Sequence, residues 1–94
     1  MNNLAGLYES QGRYKSAEPL YLEALEISTE QLGDRHPDTA ASMNNLALLY
    51  FKTDRLSKAV TMMSEAVKIF QQSLGNKHLN TINGQKSLAV FQKN

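Results

Sequence analysis

MNNLAGLY at residues 1–8 returns as MNNLALLY at residues 43–50. With residues 1–42 laid over 43–84, no gap is needed and sixteen positions agree. Beyond that block the matches are Arg13/Arg55, Ala17/Ala59, Glu23/Glu65, Ala24/Ala66, Ile27/Ile69, Leu32/Leu74, Gly33/Gly75, His36/His78 and Thr39/Thr81. A third copy opens at residue 85 and keeps Leu88 and Ala89. Self-similarity at one period between about 20 and 50 residues marks a stacked-repeat solenoid, because each unit must bury its apolar side on the next. The expected domain is a single array over residues 1–94. Its first repeat spans 1–42, its second 43–84, and a partial repeat or closing helix spans 79–94.

Each unit reads as two helices. In the second, Pro37 suits a first helical position, where its missing N–H costs nothing, and Asp38 complements the positive helix start. Ala40, Met43, Leu46, Ala47 and Tyr50 follow at helical spacing. Thr53 and Asp54 break the pattern, and a second helix is predicted from about Arg55 to Leu74. Its stripe is Leu56, Ala59, Val60, Met63, Ala66, Val67, Phe70 and Leu74, and Gly75 stands where a left-handed cap belongs. The first unit repeats this with Leu4, Ala5 and Tyr8, a turn at Gly12, a helix from Tyr14 to Leu32 and a cap at Gly33. Pro19 falls near the start of that helix, where a mild bend is tolerated. A fifth helix is predicted from about Asn80 to Gln92. The fold class is therefore all-α, an α-solenoid of stacked antiparallel helix pairs with about five helices.

Composition agrees and narrows the function. The chain has 94 residues, 41% hydrophobic and 20% charged, so it is globular in character. It has no Cys, which removes disulfides, thiol nucleophiles and thiolate metal sites together. No apolar run reaches the ~18 residues of a membrane span, and the N-terminus lacks a signal pattern. A soluble, cytoplasmic protein is expected. The overall charge of +1 conceals an asymmetry. Residues 1–42 carry three basic against seven acidic side chains, and residues 43–94 seven basic against two acidic. Such a dipole favours head-to-tail or antiparallel self-association and gives acidic partners a preferred end. Free drift of surface charge between repeats accounts for it equally well.

The spacing Met1-x-x-Leu4-Ala5-x-x-Tyr8, then Ala17, Tyr21 and Ala24, resembles the tetratricopeptide repeat. The second copy is Met43-x-x-Leu46-Ala47-x-x-Tyr50, then Ala59, Met63 and Ala66. Two departures stand out: the unit is 42 residues rather than ~34, and the family's terminal Pro is replaced by Thr29 and Gln71. A second helix longer by two turns explains both. The long unit, with NNLA, QGRY-x-x-AEPLY, ALEI and LG-x-x-HPDTA, is similar to the repeats of kinesin light chain.

The resemblance implies a concave groove lined by the first helix of each pair. The candidates there are Asn2, Gly6 and Glu9; then Ala41, Asn44, Leu48, Phe51 and Lys52; then Asn83, Lys86, Val90 and Lys93. In related arrays an Asn in the place of Asn2 and Asn44 grips the backbone of an extended peptide. An amide can donate and accept at once, which suits a peptide unit of any side chain. One Asn of each pair could instead cap or bond to the adjacent helix. Lys52, Lys86 and Lys93 put positive charge on one side of the groove, and Leu48, Phe51 and Val90 add apolar contact. The expected partner is a protein or peptide segment, acidic and with an aromatic or aliphatic anchor, as the resemblance also implies. The plain alternative is a solvated lysine face with one exposed Phe.

Nothing in the chain forms a catalytic constellation, so no enzyme is expected. The five Gly are scattered and mostly end helices, so no phosphate-cradling loop exists. His36 and His78 sit at equivalent loop positions, too far apart in stacked repeats to share an ion, and read as helix-start caps. No cofactor, nucleic acid or membrane is expected as a partner. The first copy has no HPDTAAS-type turn before Met1, which predicts poor capping and an exposed apolar side. Gln85 and Gln92 replace Met and Tyr in the last helix and make one face wetter. Leu79 replaces Pro, predicting a blunter helix start. The chain reads as the C-terminal part of a longer array, and a homo-oligomer through the exposed N-terminal repeat face is the competing expectation.

Overall fold

The structure, a computed structural model, describes Leu7 and residues 11–93. Among the described residues there are four helices and no strand: α1 (Tyr14–Leu32), α2 (Pro37–Lys52), α3 (Leu56–Leu74) and α4 (Leu79–Lys93). The sequence predicts about five. The first of these falls on residues 1–10, which, Leu7 apart, lie outside the described residues. Each helix packs on its neighbour in sequence, α2 most extensively on α3.

The turns repeat as faithfully as the sequence does. Gly33 closes α1 at φ 95° and ψ 165°, and Gly75 closes α3 at φ 87° and ψ 165°. The expected left-handed cap is thus corrected in detail. The positive φ is present, but the extended ψ lies in a region essentially closed to any residue with a Cβ. Each glycine carbonyl then accepts from a buried threonine six residues on, Thr39 Oγ1 and Thr81 Oγ1, both at 2.8 Å. His36 Nδ1 accepts from the Asp38 N–H at 3.0 Å, and His78 Nδ1 from the Asn80 N–H at 3.1 Å. Both imidazoles therefore cap the next helix in the manner of an N-cap side chain. Leu79 makes no blunter start, because the cap and not the Pro defines the end. The turn between α2 and α3 uses positive φ at Asp54 (63°), matching Gly12 (76°) one repeat earlier.

Burial follows the repeat as well. Leu46, Ala47, Leu49 and Tyr50 of α2 pack with Ala17 and Tyr21 of α1, Ala59, Met63 and Val67 of α3, and Phe91 of α4. A second cluster joins Ala40 to Ala66, Ile69 and Phe70, with Met43 and Leu74 alongside. The small residues at 17, 47, 59 and 66 let helices approach while Leu, Met and Phe fill the space beside them. Gly84 belongs to this set and not to the helix ends. It is buried inside α4, where an added Cβ would stand 2.9 Å from Val67 Cγ2.

One ion pair ties α1 to the α2–α3 turn. Arg55 donates from Nη1 to Oε2 of Glu18 at 3.1 Å and from Nη2 to Oε1, and its Nε donates to Thr53 Oγ1 at 3.1 Å. Its guanidinium also lies 4.5 Å from the centre of the Tyr50 ring. The two-pronged hydrogen bond from Arg55 holds the Glu18 carboxyl below the usual carboxylate range, against a smaller opposing effect of burial. A depressed folded-state pKa stabilises the fold above the unfolded value, and that stability is lost as pH falls through the folded one. The pair is partly open to water, so a modest effect is expected. Urea midpoints of the wild type and Glu18→Gln should differ at neutral pH and converge in acid below the ordinary carboxylate range. A gap that persists unchanged in acid would assign the loss to packing and not to charge.

Candidate functional site

The groove face is what remains of α2 and α4 once the core is subtracted. On α2 the buried positions leave Ala41, Asn44, Leu48, Phe51 and Lys52 along one side. On α4 burial of Thr81, Gly84 and Phe91 leaves Asn83, Lys86, Val90 and Lys93. The spacing of three and four residues puts each set on one helical face. Between the two helices lies a depression of about 130 Å³ lined by Ala41, Asn44, Asn45, Phe70, Asn80 and Asn83. Four asparagine amides thus surround one shallow space over a phenylalanine floor. Asn44 and Asn45 are half-buried, whereas Asn80 and Asn83 are exposed.

The other expected groove residues divide. Leu48 and Phe51 are half-buried and pack against the core. Phe51 stacks on Phe91 with ring centroids 4.5 Å apart and planes 20° from parallel. It joins α2 to α4 across the groove, so the plain alternative of an exposed Phe does not hold. Lys52 is exposed at the end of α2, as are Lys86 and Lys93 on α4. Asn2, with Gly6 and Glu9, lies outside the described residues. Asn45, Asn80 and Phe70 were not among the sequence candidates. Asn80, three residues before the candidate Asn83 at the start of the same helix, carries a signal that could have found it.

A larger open depression of about 480 Å³ lies elsewhere, lined by Tyr50, Ser57, Lys58, Thr61, Met62 and Glu65. Four of those six, Ser57, Lys58, Thr61 and Glu65, are exposed on α3, and Met62 packs partly against the core. The aromatic group they surround is already engaged, since Arg55 covers the Tyr50 ring and Lys58 Nζ lies 5.8 Å from its centre. Its size therefore counts for less than the convergent amides of the groove. Among the described residues no three His, Asp or Glu side chains gather to hold a metal ion, and no helix is long and apolar enough to cross a membrane.

Comparison with known proteins agrees with the repeat geometry. The family model described as "Tetratricopeptide repeat" matches residues 1–72. A curated relative, a nucleotide-binding leucine-rich repeat (NLR)-like protein of Hyaloscypha variabilis, is 44% identical over 43 residues, which is 46% of this chain and 4% of that protein. The crystal structure of BtubC (BKLC) from P. vanneervenii superposes with a TM-score of 0.89 at 28% identity, covering 98% of this chain and 36% of that one. The chain thus spans about a third of the length of that structure and a small fraction of the curated relative. Tetratricopeptide arrays are protein-interaction scaffolds. This chain belongs to the tetratricopeptide repeat family, in its kinesin-light-chain-like form.

Proposed function

We propose that the face shared by α2 and α4 binds an extended, acidic peptide of a partner protein, without catalysis. The cluster of Asn44, Asn45, Asn80 and Asn83 carries this proposal. Each amide offers a donor and an acceptor, the complement of a peptide unit, and neighbouring amides can hold consecutive units of one strand. Asparagine is also a poor helix former, so four of them on two short stretches of helix carry a cost that ligand binding would offset. Lys52, Lys86 and Lys93 supply the charge that draws an acidic chain and orients it. Leu48 and the half-buried Phe51, backed by the buried Phe91, supply apolar contact for one aromatic or aliphatic anchor. Asn2 would extend the amide row into the preceding repeat.

The test is a fluorescence-anisotropy titration against a panel of extended peptides, each rich in Asp and Glu and carrying one Trp or Leu. With the tightest peptide, Asn44→Ala/Asn83→Ala should weaken binding about thirtyfold, two hydrogen bonds at about 1 kcal/mol each. Lys52→Glu/Lys86→Glu should weaken it further and flatten its salt dependence. Affinity unchanged in Asn44→Ala/Lys52→Glu would remove the groove from the account.

A further inference from the structure

Asn83–Gly84 is the one Asn-Gly pair in the sequence, and two separate demands bring it about. Gly84 is buried on α3, where a Cβ would stand 2.9 Å from Val67 Cγ2, so packing there requires glycine. Asn83 is exposed and lines the groove depression with Asn44, Asn45 and Asn80. The same two places on α2 hold Ala41 and Ser42. Helix α4 thus carries a reactive pair that α2 lacks.

Asparagine followed by glycine is the pair most open to attack on its own side chain. With no Cβ beside it, the Gly84 nitrogen is unshielded and the backbone around it turns freely. Its attack on Asn83 Cγ forms a new N–C bond and closes a succinimide ring. The side-chain nitrogen leaves as ammonia, carrying the proton that Gly84 gives up. Water then opens either ring carbonyl, giving aspartate, or isoaspartate with an extra methylene in the backbone.

The helix holds this reaction off. Within α4 the Gly84 N–H is committed to the Asn80 carbonyl, and helical ψ at Asn83 keeps the Gly84 nitrogen away from Cγ. Attack therefore needs the start of α4 to open. Helix α2 begins with Pro37 and Asp38, whereas α4 has Leu79 and Asn80 in those places and no acidic residue in its first turn. Its cap, His78 Nδ1 accepting from the Asn80 N–H at 3.1 Å, is exposed, as are residues 75–80 throughout. Buried Thr81, whose Oγ1 holds the Gly75 carbonyl at 2.8 Å, keeps the open form a minor one. Such local opening occurs well below the cost of global unfolding.

We propose that Asn83 is a site of slow self-modification, gated by opening of the start of α4. The product sets a carboxylate among the groove amides, three residues from Lys86, and isoaspartate also displaces the helical register. That carboxylate would repel an acidic strand, a consequence that alone rests on the peptide-binding reading.

The full chain, folded and in urea, is held at mildly alkaline pH, and the tryptic peptide of residues 78–86 is assayed by mass and for isoaspartate. No ligand enters this measurement, so it is independent of what the groove binds. Asn83 should react in the folded chain many-fold more slowly than in urea, with Asn80 in the same peptide intact. His78→Ala, shown to be folded by its thermal melt, should speed the folded-state reaction about fivefold, the gain in open form from losing an ordinary N-cap bond. In urea it should change nothing. Gly84→Ala/Val67→Ala, which gives the added methyl room, should suppress the reaction in both states. A folded chain that leaves Asn83 intact while the unfolded chain is converted would overturn the proposal. So would equal rates in the two states, or a His78→Ala chain that reacts no faster. Acidic-peptide affinity unchanged in Asn83→Asp would remove the consequence for the groove and leave the modification standing.

Discussion

Leu46→Ala should destabilise the chain by about 3–4 kcal/mol, the usual cost of emptying a fully buried leucine site that cannot collapse. Leu46 has no exposed surface and shares its cluster with Tyr21 of α1 and with Ala59 and Met63 of α3. Its side chain therefore fills space that three helices enclose together. Alanine at 47 and 59 keeps those helices already close, so little further collapse can refill the cavity. For a chain of this size each kcal/mol moves the melting temperature by about 4–8 °C, which puts the expected drop at about 12–30 °C. Domains of this kind hold only about 5–15 kcal/mol in total, so the variant should sit near the limit of folding. Urea titration monitored by circular dichroism measures this directly. Leu48→Ala, on the half-buried groove side of the same helix, is the control and should cost much less. Equal losses at the two positions would mean that Leu46 is not at the centre of the packing.

Gly84→Leu should cost about 3 kcal/mol or more, by the opposite mechanism of overfilling. A single Cβ at this position already meets Val67 Cγ2 at 2.9 Å, with Met63 Sδ at 3.9 Å and Phe70 Cδ2 at 4.0 Å behind it. Valine is stiff at its first side-chain torsion, so its methyl cannot simply swing away. The remaining leucine atoms can be accommodated only if α4 lifts off α3. Gly84→Ala is the finer probe, because it gains about 1 kcal/mol of helix propensity while meeting the same clash. Combined with Val67→Ala it should recover stability relative to the sum of the single changes, a coupling that distant sites do not show. Hydrogen exchange should place the damage of Gly84→Leu in α4 first, with α2 and α3 protected. A Gly84→Leu chain that melts with the wild type would contradict the close approach of α3 and α4.

The groove was partly legible before any coordinates. Asn44, Leu48, Phe51 and Lys52 follow from subtracting the core stripe of α2, since helical spacing fixes which residues share a face. Asn83, Lys86, Val90 and Lys93 follow in the same way on α4. What periodicity could not supply was the distance between those faces. Hence Asn80 and Phe70, which line one depression with Asn44 because α3 and α4 bring them there, do not follow from the pattern as groove residues. Phe51 was legible as a groove position but not as half of a ring stack with Phe91, forty residues away.

The sequence by itself determined the repeat, the helical hairpin and the turns. Each of those rests on local chemistry: a 42-residue echo, a 3.6-residue period, a glycine at positive φ and a histidine ahead of the helix. The tertiary structure alone decided three other things. It turned Gly84 from a scattered glycine into a close approach of α4 to α3, gave Glu18 a partner in Arg55 thirty-seven residues on, and stacked Phe51 on Phe91 across α2 and α4. All three depend on how far apart two helices sit and in which register. That spacing is set by the sum of many side-chain volumes across the interface, a quantity that no single stretch of sequence carries.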